Sequence, residues 1–131
     1  MTVKYIFLSM AFLLSIHTYA DDDFFCLSDG VKTILLVSAK YPNIDEIKYY
    51  PYLKSIKISN VIKTKYGDNG GEKPEIYYTM NEIVKNKITG RYTFMSQGYL
   101  VYSVTYINLK SKKITDFYRK YDLKINGVNC L

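Results

Sequence analysis

The chain has 131 residues and a formal charge of +6, with 48% hydrophobic, 16% aromatic and 23% charged residues. That balance supports one small folded domain and excludes long-range disorder. Two cysteines are too few for a disulfide-dense mini-protein or a four-cysteine zinc site.

Residues 1–20 read as a secretory signal peptide. Lys4 supplies the positive start, Tyr5 to Ile16 is an apolar run too short to span a bilayer comfortably, and Thr18-Tyr19-Ala20 precedes Asp21-Asp22-Asp23. The expected product is exported, periplasmic or secreted, with no stable membrane insertion after cleavage. Sixteen Lys against two Arg, with many Ile, Asn and Tyr, suggest an AT-rich genome, which together with export makes a bacterial periplasm or bacterial secretion the expected context. Residues 21–131 are expected to form one domain. Export permits a disulfide, and Cys26 with Cys130 is the single intramolecular pairing available.

Phe24 to Lys40 reads as a helix. Leu27, Val31, Ile34, Leu35 and Ser38 share one face at i, i+4, i+7 spacing, and Tyr41-Pro42 stops it. Asn43-Ile44-Asp45-Glu46 suggests a further capped turn running to about Tyr50, before Pro51. The period then changes to two. Ile56, Ile58, Ile62 and Tyr66 alternate with Lys57, Ser59, Lys63 and Lys65, a half-buried strand with a basic outer face. Asp68-Asn69-Gly70-Gly71 is a turn signal, and strands follow over 75–85, 88–95, 99–109 and 114–121. The expected fold class is α+β: an N-terminal helix packed on a four- to five-stranded antiparallel meander sheet. This order resembles the cystatin-like architecture, in which a curved sheet wraps one helix; the resemblance implies a scaffold and no particular activity.

His17 is the only histidine and falls in the leader, so the mature chain lacks a Ser-His-Asp triad, a Cys-His pair and His-containing zinc sites. No P-loop or Gly-x-Gly-x-x-Gly occurs. No catalytic residue, metal ligand or cofactor site is assigned. Carboxylate chemistry is the surviving enzymatic alternative, as a small exported enzyme on cell-wall glycan. Its candidate acids are Asp68, Glu72 and Glu75 in one loop, with Glu82, Asp116 and Asp122 elsewhere.

Loss of Lys4 lowers the formal charge of +6 by one. Lys57, Lys63 and Lys65 line one strand face, and Arg91 faces outward from the third strand. Tyr49, Tyr50 and Tyr52 occupy the connection ahead of the sheet, and tyrosine suits recognition surfaces through its rigid area and polar tip. These residues together are the candidate binding site. The expected function is an exported non-catalytic binding protein, of periplasmic inhibitor or immunity type, whose partner is another exported or envelope protein with an acidic surface. A structural accessory of an envelope assembly is a further alternative. Nucleic acid is not an expected partner, since export removes it and the basic residues are nearly all Lys.

Overall fold

The structure is a computed structural model that describes residues 23–67, 73–121 and 123–131. Among the described residues nine strands run in chain order: β1 (Asp23–Ser28), β2 (Ile34–Ser38), β3 (Glu46–Tyr50), β4 (Lys54–Tyr66), β5 (Glu75–Val84), β6 (Lys87–Gln97), β7 (Leu100–Asn108), β8 (Ile114–Arg119) and β9 (Asn129–Cys130). Each of the first seven pairs antiparallel with the next, and β1 pairs with β8 to close an eight-stranded barrel. The short β9 runs parallel to the start of β1.

The expected α+β class is thus corrected to an all-β barrel, and no helix occurs among the described residues. The segment expected as the N-terminal helix is the β1–β2 hairpin. Its turn is built by Asp29, whose Oδ1 accepts hydrogen bonds from the backbone N–H groups of Val31, Lys32 and Thr33 at 2.9–3.1 Å. Gly30 takes φ +82° there, a conformation open to glycine. Val31, placed on the buried face by helical spacing, is 84% exposed at the hairpin tip. Alternation is absent from these strands because both of their faces are covered. Phe25, Leu27, Leu35 and Val37 enter the barrel. Phe24, Cys26 and Leu36 face outward beneath Ile34, Tyr50, Leu123, Val128 and Cys130. The helical turn expected ahead of Pro51 is likewise strand β3.

Eight strands enclose a space that side chains can fill. Ile47, Met80, Tyr92, Phe94, Val101, Val104 and Phe117 occupy it with the β1–β2 residues. Tyr41, from the β2–β3 connection, inserts at one end with its ring 5.4 Å from that of Phe94 and 6.1 Å from that of Tyr78. Cys26 and Cys130 are bonded, with Cα atoms 5.5 Å apart, which ties the chain end to the outside of β1.

One row of the outer wall is wholly polar. Register places Lys63, Thr79, Thr93, Thr105 and Asp116 in one row across β4 to β8. Thr79 and Thr93 hydroxyls lie 3.0 Å apart, and Thr105 donates to Asp116 at 2.9 Å.

Candidate binding surfaces

The proposed tyrosine cluster separates in the structure. Tyr49 points into the barrel, where its hydroxyl lies 2.7 Å from that of Tyr92 and its ring packs on Phe117. Tyr50 faces outward but packs on the cluster around Leu36 and Cys26. Tyr52 alone is free, 87% exposed at the tip of the β3–β4 connection. Lys57, Lys63 and Lys65 are exposed and outward on β4, as alternation indicates, because they sit opposite Ile83, Thr79 and Tyr77 of β5. Arg91 is exposed on β6, two strands away, between Asn81 and Ile107.

β4 has one paired edge and one partly free edge. Its pairing with β5 runs from Lys57 to Tyr66, whereas its pairing with β3 covers only Lys54 to Lys57. Ile58 still donates its N–H to the Asp45 carbonyl at 2.9 Å. From Ser59 to Tyr66 no strand lies on the second edge among the described residues. Register shifts between Ile58 and Lys63 bend the strand there. Beyond them Lys63, Thr64, Lys65 and Tyr66 are regular and exposed, Tyr66 at 68%. An open cleft at this arm is lined by Lys65, Tyr66, Glu75 and Tyr77.

The other barrel end collects four hairpins: β1–β2, β3–β4, β5–β6 and β7–β8. Sequence reading missed this surface, because its residues come from four turns remote from each other in the chain. The local signal in each turn is an apolar residue beside lysine: Val31-Lys32, Leu53-Lys54, Val84-Lys85 and Lys113-Ile114.

Beneath this end lies a buried polar cluster. Glu82 Oε1 accepts from Thr89 Oγ1 at 2.7 Å and from the Tyr106 hydroxyl at 2.8 Å, and Oε2 accepts from the Tyr92 hydroxyl at 3.1 Å. Burial pushes the Tyr49 hydroxyl up to about 12, against the opposing hydrogen bond with Tyr92. Burial also raises Tyr92 and Tyr106 well above the usual tyrosine range, aided for Tyr106 by its hydrogen bond to Glu82. All three phenols are therefore neutral donors at neutral pH. A cleft between the β1–β2 and β7–β8 hairpins reaches Tyr49, Tyr106 and Phe117.

The candidate acids do not converge. Glu82 lies inside the barrel, Glu75 accepts from the Tyr77 hydroxyl at 2.9 Å on the arm, and Asp116 is on the outer wall. Asp68, Glu72 and Asp122 fall outside the described residues. Among the described residues no group of three or more His, Cys, Asp or Glu is placed to hold a metal ion. Comparison of the chain with protein-family models, with curated proteins and with solved structures finds no match.

Proposed function

We propose that this is an exported, non-catalytic binding protein of inhibitor or immunity type, acting on another exported or envelope protein. The observation that carries the reading is the free edge of β4. An unpaired strand edge offers backbone N–H and C=O groups to an incoming extended segment, and side-chain chemistry then selects the segment. Lys63 and Lys65 discourage indiscriminate pairing and favour a strand that carries acids. Tyr66 and Tyr77 supply rigid aromatic area beside them. The side chains packed inside the barrel favour surface recognition over enclosure of a small ligand.

The carboxylate alternative draws less support. A glycosidase needs two carboxyl groups facing one substrate, and Glu82 is engaged by three hydroxyl donors inside the wall. The test is capture of exported proteins on the immobilised, processed protein at several salt concentrations. Retention of a defined partner that weakens with salt is expected. Failure to retain any protein at micromolar bait removes the reading.

A further inference from the structure

We infer that the hairpin end of the barrel docks on an anionic phospholipid bilayer. Each hairpin at that end joins lysine to an exposed apolar side chain. The β1–β2 tip carries Val31 beside Lys32, and the β3–β4 tip carries Tyr52 and Leu53 beside Lys54. In the β5–β6 turn, Lys85 and Lys87 are flanked by Val84 and by Ile88, which is 55% exposed. The β7–β8 turn adds Lys110, Lys112 and Lys113 beside Ile114, 59% exposed. All of these lysines are exposed.

Acids are sparse at this end. They are Asp29, held by three backbone N–H groups of its own turn, and Asp116, which is exposed and accepts from Thr105, while Glu82 is buried. Asp23, Asp45, Glu46 and Glu75 lie toward the opposite end, at the starts of their strands or in the β2–β3 connection. The acids are thus weighted toward the opposite end, and the rim carries seven exposed lysines against Asp29 and Asp116. Lysines attract anionic headgroups, and interleaved apolar tips enter the headgroup boundary; the two signals together suit peripheral attachment. A ring of four hairpin tips around a barrel rim matches a planar surface, whereas an acidic protein would select for a shaped polar contact. The polar row Lys63, Thr79, Thr93, Thr105 and Asp116 borders the rim on the outer wall.

A second observation is local. Among the described residues, the four non-glycine residues with positive φ are Leu53, Lys85, Asn86 and Lys112, and all lie in these hairpins. Asn tolerates that conformation, but Leu and Lys are unusual choices where glycine fits more easily. Their side chains are kept at the rim against backbone preference, as expected where the side chain itself is used. Docked this way, the β4 arm at the opposite end points away from the membrane, toward a soluble partner.

The test is sedimentation of the processed, disulfide-bonded protein with vesicles, its removed leader verified by mass. One vesicle type is phosphatidylcholine with phosphatidylglycerol as minor component; the other is phosphatidylcholine alone. Binding to the anionic vesicles only, falling as salt rises, is expected. The double variant Lys87→Glu with Lys110→Glu should lose at least about tenfold in partition. Lys63→Glu with Lys65→Glu changes net charge equally and should stay within about twofold, since it lies off the rim. Tyr52→Ser with Val31→Ser should weaken binding at unchanged charge. Equal loss in both charge variants, equal binding to both vesicle types, or no binding to either overturns the inference. So does capture of an acidic protein that needs the rim lysines while the anionic vesicles are ignored.

Discussion

The Tyr106 hydroxyl donates a 2.8 Å hydrogen bond to Glu82 across Gly90, whose missing side chain leaves room for the tyrosine ring. A Cβ at Gly90 would stand 2.6 Å from the Tyr106 hydroxyl oxygen. Gly90→Ala should therefore push the ring away and weaken the Glu82 cluster, lowering stability by about 2–3 kcal/mol in urea unfolding. Gly90→Ala in a Tyr106→Ala background should cost clearly less, because the obstructing ring is gone.

Glu82 receives only donors: Thr89, Tyr92 and Tyr106, with Tyr49 feeding Tyr92. A carboxylate can accept all three direct bonds. An amide has one acceptor oxygen and turns a second donor toward donors. Glu82→Gln is expected to cost about 2–3 kcal/mol despite its matching shape, measured by denaturant unfolding.

High pH should unfold the barrel through its buried phenols. Burial raises Tyr41 and Tyr49 from 10.0 to about 12 in the fold. Below pH 10 both states hold these protons and the full stability is present. Between pH 10 and 12 the unfolded chain loses them first, so stability falls as pH rises. The expected loss is roughly 2–3 kcal/mol for each of the two tyrosines. Circular dichroism should report the loss of fold together with the last part of the tyrosinate absorbance rise, since tyrosines such as Tyr52 and Tyr99 are exposed in the fold, and Tyr41→Phe should move that step to higher pH.

The Cys26–Cys130 bond closes a sequence separation of 104 residues. Replacing both cysteines by alanine should remove about 4–5 kcal/mol by freeing the unfolded chain. Cys26 is fully buried beside Phe24 and Leu36, so packing loss adds to that figure. Loss of the outer β9 contact should appear first, as faster amide exchange in Asn129 to Leu131.

Leu53 and Lys112, with φ of 51° and 62°, carry side chains where glycine is easier. Leu53→Gly and Lys112→Gly should each leave the fold unharmed or stabilise it, by up to about 1 kcal/mol. Both should weaken vesicle partition. Gain in stability with loss of binding is the signature of rim residues retained for contact.

The later strands were legible because one face of each meets the core and the other meets water. Ile58 against Lys57, and Tyr92 and Phe94 against Arg91 and Thr93, show period two in the sequence itself. The β1–β2 hairpin was not legible. Outer cover by Leu123, Val128 and Cys130 makes both faces apolar, and the remaining spacing happens to fit a helix. The turn was written in Ser28-Asp29-Gly30, where Asp29 caps three N–H groups and Gly30 takes a positive φ. Alternation likewise placed Lys57, Lys63 and Lys65 outward, but proximity in sequence misled for Tyr49 and Tyr52, which face the core and the solvent respectively. The free edge of β4 arises from the short reach of β3, a tertiary fact with no local mark.

The most direct test of binding through β4 compares capture of exported proteins by the processed wild type and by Lys63→Glu with Lys65→Glu, with amide exchange followed in the complex. The expected result is a defined partner held by wild type, lost by the variant, and slowed exchange across Ser59 to Tyr66. A partner held equally by both, with exchange in that segment unchanged, would contradict binding through this edge.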